Sequence, residues 1–319
     1  MKSSKPIVSV IVPNYNHAPY LRMRLDSIIK QTFNNIEIII LDDCSNDNSK
    51  DVIEEYRANA LVSQIIYNKK NSGSPFKQWH KGIQYAKGEF IWIAESDDWA
   101  ESTFLEELLN GIKDCKKVVV AFSAKYIVYS NSKKVKSTYI TNMTVNGHKF
   151  IHDKMIDDNS VYNASCAIFR KSALQKISTD YQNYRGCGDW LFWIELCRQG
   201  NIFYCATPLS YFRQHGENTT SKNMARGTDL IEYWNIFQKL KAWGYVSIFL
   251  KMIVSLRYYD YAREGLANTP QNNLFEKALS LWEKEIPCRL FSRFIIPIGI
   301  TIWKIRLSLF HLFQNNRNI

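Results

Sequence analysis

What most constrains this chain is a pattern that recurs between residues 7 and 122: a β-branched run, a polar cluster, then apolar side chains at helical spacing. Ile7 to Val12 and Ile36 to Leu41 read as strands buried on both faces. Val62 to Tyr67, Phe90 to Ala94 and Val118 to Phe122 read as three more. Between them lie predicted helices over Pro19 to Gln31, Asp51 to Ala60 and Phe76 to Lys87, and one bearing Leu105, Leu108, Leu109 and Ile112. Gly88 suits a left-handed C-cap, and Thr103 with Glu106 suits a capping box. Strand alternating with helix implies right-handed crossovers and a Rossmann-like, mostly parallel sheet covered by helices on both faces, an α/β fold.

In such sheets ligands bind beyond the carboxyl ends of the strands. The polar clusters sit there: Pro13 to Asn16, Asp42-Asp43, Asn71-Ser72-Gly73 and Ser96-Asp97-Asp98 follow the first four strands. Four loops are predicted to converge on one rim. From about Lys125 the pattern breaks into short strand-like pieces (Tyr126 to Tyr129, Cys166 to Arg170, Ile202 to Ala206), and from Asp229 to near residue 285 it reads as helix.

Composition narrows the function. Lys and Arg exceed Asp and Glu by 41 − 30 = 11, which points to an anionic partner such as nucleic acid, acidic lipid or a phosphorylated substrate. The seven cysteines form no CxxC pair and no zinc spacing, so reduced thiols in a cytosolic compartment are expected. The first residues carry no secretory signal.

Adjacent carboxylates at a strand end, Asp97 and Asp98, are costly unless a cation or hydrogen-bond donors compensate them. A hard divalent ion that leaves room for substrate phosphates would do so. Asp42 and Asp43 have the same placement and could accept from a base or ribose. In Gly186-Cys-Gly-Asp189 a carboxylate opens an apolar helix, where it would stay ionised and could serve as a general base, or simply cap. The glycines argue for close approach of something to the backbone. Arg213 and His215 share a face at period two, which suits phosphate contact and metal ligation.

Together the segments Val8 to Asn16, Leu41 to Asp47, Gly82 to Ile91, Ser96 to Asp98 and Gly188 to Trp190 resemble the family 2 glycosyltransferases, which have the A-type glycosyltransferase fold. The resemblance runs from about Pro6 to Ser221. It implies that Pro13 and Tyr15 wall the nucleotide base pocket and that Asp43 bonds the base. It implies that Asp97 sits near the ribose and metal, that Asp98 binds the Mn²⁺ or Mg²⁺ on the donor diphosphate and that His215 lies close to the diphosphate or metal; Gly73 and Arg213 are further candidates for binding the donor. Asp189 would be the base of an inverting transfer, with Glu95 or Glu217 the alternatives. The implied donor is a nucleotide-diphosphate sugar, a UDP-sugar being favoured, and the acceptor a glycan or lipid-linked glycan precursor for a cell-surface polysaccharide. Where many relatives carry Arg-Asn, this chain has Trp79-His80. The Gln-x-x-Arg-Trp pattern of processive synthases is absent, which favours transfer of a single sugar.

The expected organisation is a transferase domain over residues 1–225, halved near 120 into donor and acceptor parts, a helical extension over 226–287 and a basic apolar tail over 288–319. From Arg289 the tail has five Lys or Arg and no acid, and its longest uncharged apolar run, Phe294 to Trp303, is too short to span a bilayer. It suits either an anionic membrane surface, on the inner face of a cytoplasmic membrane, or packing on its own domain or a second subunit. Two other functions compete. A nucleotidyltransferase would show a glycine-rich basic loop after the first strand, and a nucleic-acid binder would cluster bases and aromatics where this chain crowds acids.

Overall fold

The structure is a computed structural model and describes residues 5–136, 138–215 and 226–286. It divides into two compact units, residues 1–216 and 217–319.

The first unit is built on one sheet of ten strands. The first four are β1 (Val8–Asn14), β2 (Ile36–Asp42), β3 (Val62–Tyr67) and β4 (Phe90–Ile93). The next three are β5 (Trp99–Ala100), β6 (Val118–Tyr129) and β7 (Ser132–Lys136), and the last three β8 (Met143–Asn146), β9 (Ala167–Arg170) and β10 (Asn201–Arg213). Its helices are α1 (Ala18–Ile29), α2 (Ser49–Glu55), α3 (Pro75–Tyr85), α4 (Phe104–Ile112), α5 (Gly147–Lys154) and α6 (Gly188–Cys197). The spatial order is β3-β2-β1-β4-β9-β6-β10-β5, with β7 on β6 and β8 on β10. Strands β3, β2, β1 and β4 are parallel, and so are β6 and β10. β9 runs antiparallel between β4 and β6, so the sheet is mixed beyond β4. The piece read as Tyr126 to Tyr129 is the outer end of β6, and the piece over Ile202 to Ala206 belongs to the 13-residue β10.

Why β1 and β2 tolerate no polar face is visible in the core. Val8, Val10, Val12, Ile36, Ile38 and Ile40 pack with Leu21, Leu25 and Ile28 of α1 and Phe104, Leu105 and Leu108 of α4. The opposite face of β1 takes α3. Fully burying each such aliphatic side chain is worth about 1.5–3 kcal/mol. One polar pair is embedded there: Ser9 Oγ donates to Glu37 (2.6 Å), and the two accept from the N–H groups of Lys87 and Gly88. This pair explains Gly88. It is not a left-handed cap; α3 ends at Ala86 in an extended conformation, and a Cβ on Gly88 would lie 2.6 Å from the Ser9 nitrogen. The capping box is likewise unmade. Thr103 makes no side-chain cap bond, and Glu106 instead accepts from Thr32 Oγ1 (2.6 Å), because α1's end lies within its reach.

The second unit holds three described helices, α7 (Thr228–Ala242), α8 (Ile248–Asn268) and α9 (Asn273–Glu283). Trp282, fully buried, ties them: its Nε1 donates to Leu230 O (3.0 Å), and its ring stacks on Tyr258 and touches Phe237. Among the described residues no helix is long and apolar enough to cross a membrane.

Candidate functional site

The carboxyl ends of β1, β2, β3, β4 and β10 do converge. The first two loops are stitched together: Asn14 Nδ2 and Ser45 Oγ both donate to Asp42 Oδ1 (2.8 and 2.6 Å), and Asn16 N donates to Ser45 Oγ (2.9 Å). Asn16 and Cys44 adopt left-handed φ of 56° and 63° at this junction. Asp42 is thereby a structural acceptor. Asp47 forms a turn, accepting from Ser49 N and Ala18 N.

Asp43 differs from expectation. It is buried, and its oxygens accept from Asn68 Nδ2 (2.6 Å), Gln78 Nε2 (2.9 Å), Ser72 N (2.9 Å) and Ser72 Oγ (2.7 Å). With its lone pairs taken by its own chain, it shapes the loop over 68–78 rather than offering a base a free acceptor. Gly73 sits on that loop with φ 73° and open space where a Cβ would stand. Pro13 is buried in β1 opposite Leu41, whereas Tyr15 stands 46 % exposed on the rim.

The acidic motif splits. Asp97 faces out: its Oδ2 meets His215 Nε2 at 3.0 Å. His17 approaches the same place, its Nδ1 paired with Ser96 Oγ at 2.8 Å. Ligand atoms of His17, Asp97 and His215 lie within 4.8 Å of one another. Burial opposes ionisation of Asp97, but the His215 bond and the two imidazoles outweigh it and hold its carboxyl below the usual range. Burial lowers the His17 pKa despite the nearby Asp97, leaving a neutral imidazole with a lone pair to give.

Asp98, expected as a metal ligand, faces in. It is 1 % exposed; Oδ1 accepts from Arg213 N (3.0 Å) and Oδ2 from Asn163 Nδ2 (2.9 Å). The Arg24 guanidinium lies 4.0 Å away, fully buried, with Nε on Glu95 O and no hydrogen-bond partner for either Nη. Burial, then the charge of Asp97, pushes the Asp98 pKa up. Glu95 is also raised, to about 8, by burial and by Asp97, against the Trp79 Nε1 bond to its Oε1 (2.7 Å). Trp79 is therefore a buried prop for Glu95, and His80 pairs with Tyr181 OH at 3.2 Å.

Arg213 ends β10 beside the cluster. Its Nε donates to Asp97 O (2.9 Å), and its guanidinium lies between the Trp99 and Tyr20 rings, 4.5 and 4.8 Å from their centroids. Tyr20 also tilts against His215 at 5.1 Å. Asp189 opens α6, and Asn159 Nδ2 donates to its Oδ2 (2.8 Å). The Gly188 backbone is approached by the chain itself, not by a ligand: a Cβ there would lie 2.5 Å from Tyr181 O and 2.6 Å from the Phe76 ring. Asn159 and Asn163 belong to one loop that touches both Asp189 and Asp98, with Tyr162 between them at φ 68°. Glu217, the alternative base, lies outside the described residues, as does the tail over 288–319.

Sequence reasoning missed His17, Arg24, Asn159 and Asn163. For His17 the signal was available: it closes the polar cluster after β1, on the rim where ligands are expected.

Comparison with known proteins adds the following. The description "Glycosyl transferase family 2" matches residues 9–178, more than half of the chain. The poly(ribitol-phosphate) beta-N-acetylglucosaminyltransferase TarP of Staphylococcus aureus is 28% identical over 212 residues, 64% of this chain and 62% of that protein. The chain thus spans less than two thirds of that relative, and 33% and 44% of two others. Among solved structures, S. aureus TarS residues 1–349 in complex with UDP-GlcNAc superposes with a TM-score of 0.70 at 20% identity, covering 88% of this chain and 81% of that one. A mannosyltransferase from Pyrobaculum calidifontis in complex with GDP-Man and Mn2+ gives 0.54 at 15% identity, covering 94% and 81%. These likenesses show a shared fold.

Proposed function

The chain belongs to glycosyl transferase family 2 and is thus a glycosyltransferase, and from that premise we propose that it moves a single sugar from a nucleotide-diphosphate donor, a UDP-sugar, to a glycan hydroxyl with inversion. The acceptor proposed is a glycan or lipid-linked precursor of a cell-surface polysaccharide; among the relatives, TarP is a poly(ribitol-phosphate) beta-N-acetylglucosaminyltransferase and a Bacillus subtilis protein is named for teichuronic acid biosynthesis. The observation that carries the proposal is the meeting of His17, Asp97 and His215, from three strand ends, within 4.8 Å.

Two imidazoles and one carboxylate fit a divalent ion, and they fit Mn²⁺ better than Mg²⁺, which prefers an all-oxygen shell. When bound, such an ion offsets the negative charge developing on the departing diphosphate. Arg213, whose guanidinium lies 4.8 and 4.5 Å from the Tyr20 and Trp99 ring centroids, meets the same diphosphate. Tyr15 and the Gly73 loop, shaped by Asp43, take the nucleoside. Asp189, oriented by Asn159, accepts the proton of the acceptor hydroxyl, a contribution of about 10²- to 10⁴-fold in rate. One base opposite the leaving group gives direct displacement. The tail beyond residue 288 is proposed to rest on the inner face of the membrane.

The test is a panel of nucleotide-sugars with Mn²⁺, read by donor hydrolysis and thermal shift. One UDP-sugar should raise the melting temperature and turn over, and a chelator should remove both effects. No response to any nucleotide-sugar, or a response indifferent to chelation, would overturn the metal-dependent reading.

A further inference from the structure

The α7–α8 corner of the second unit is firmly built yet turns apolar side chains outward. Helix α7 closes on Gly244, at φ 80°: Tyr245 N donates to Leu240 O (3.0 Å) and Gly244 N to Lys241 O (3.0 Å), the paired bonds of a Schellman motif. Ser247 then caps α8, its Oγ accepting from Leu250 N (3.3 Å). The first two residues of α8, Ile248 and Phe249, are 79 % and 60 % exposed. Scattered single apolar residues are normal on a surface, but two adjacent ones at the apex of a capped corner are not scattered.

The charge around them has one sign. From Tyr233 to Tyr259 the chain carries Lys239, Lys241, Lys251 and Arg257 and no acid. Glu285 pairs with both Lys241 (2.5 Å) and Lys251 (3.3 Å), so these two lysines share one carboxylate and the trio keeps a net positive charge. Trp243 and Tyr245 flank the turn, and Lys239 lies over the Trp243 ring at 6.0 Å. Apolar apex, aromatic flank and cationic shoulder are the arrangement that suits the boundary between lipid headgroups and acyl chains.

We propose that this corner is a membrane-docking wedge: Ile248 and Phe249 enter the interface of an anionic bilayer while the lysines meet lipid phosphates. The wedge is independent of the donor site and of the tail. It is tested on the full chain by co-sedimentation with vesicles of phosphatidylcholine alone or mixed with phosphatidylglycerol, for wild type and the double variant Ile248→Ser/Phe249→Ser. Wild type should partition to the mixed vesicles, less so at high salt. The variant should lose at least about tenfold in partitioning, since two exposed apolar side chains no longer enter the lipid. Its donor-induced thermal shift should stay as in wild type, which shows the chain intact. Equal sedimentation of variant and wild type would overturn the proposal. So would a wild type that ignores both vesicle types; if light scattering then shows an oligomer that the variant breaks, the corner docks a second copy of the chain.

Discussion

Asn substitution at two neighbouring carboxylates should have opposite consequences. Asp98→Asn keeps the volume but not the chemistry. One amide oxygen can still accept from Arg213 N or from Asn163 Nδ2, and the amide nitrogen then points a donor at the other donor. The change also leaves the buried Arg24 guanidinium without its counter-charge at 4.0 Å. Breaking a buried pair costs about 3–5 kcal/mol, and the 4.0 Å separation together with the surviving Arg24 Nε bond places this case at the low end, about 3 kcal/mol. For a domain of this size that is a fall of about 6–12 °C in melting temperature. Asp97→Asn removes the one anionic ligand of the cation cluster but leaves no buried charge behind. Its melting temperature in chelator should stay within about 2 °C of wild type. Its Mn²⁺ affinity should fall by more than about 100-fold, beyond what loss of a supporting partner costs. The assays are differential scanning fluorimetry in chelator and Mn²⁺ titration followed by the electron paramagnetic resonance of the free ion. An Asp98→Asn protein that melts like wild type but no longer binds Mn²⁺, or an Asp97→Asn protein that binds it normally, would refute the assignment of outward ligand and inward clamp.

The other expectations concern the base, a titration and a packing contact. Asp189→Asn should slow single-turnover transfer about 10²- to 10⁴-fold with donor affinity unchanged; a rate within a few-fold of wild type would move the base elsewhere. Glu95 has a folded pKa near 8, above its unfolded value, so the folded state binds the extra proton and stability falls as pH rises from about 4.5 to 8. Glu95→Gln should flatten that decline in chelator, and a melting profile parallel to wild type between pH 5 and 8.5 would contradict it. Gly188→Ala should destabilise the first unit by about 1–3 kcal/mol, because its Cβ would meet Tyr181 O at 2.5 Å, and an unchanged denaturation midpoint would show that the contact relaxes freely.

The residues that sequence reasoning placed well are those whose pattern is local. β3 falls on Val62–Tyr67 as read, since β-branched and aromatic residues between polar turn residues mark a strand without help from elsewhere. The rim of loops followed from chain order alone. What stayed hidden depends on distant partners. Which of Asp97 and Asp98 turns outward is decided by Asn163 and Arg213, 65 and 115 residues further along the chain. Gly88 reads as a cap until Ser9 and Glu37 are seen to draw its backbone against β1. Glu106 sits at capping-box spacing, but Thr32 offers it a better donor.

The three groups gathered at the rim come from chain positions 17, 97 and 215, so successive ligands enclose stretches of 97 − 17 = 80 and 215 − 97 = 118 residues. A cation seated among them would be a staple across nearly the whole length of the first unit. Its binding energy would then be shared with folding: at a hundred times the dissociation constant, a ligand that sees only the folded state adds about 2.7 kcal/mol. His215 lies just beyond the last residue of β10, where a strand end frays first. Withdrawing the ion should therefore loosen the end of β10 before the parallel half of the sheet, so that the concentration of free metal sets how long the diphosphate end of the site stays assembled.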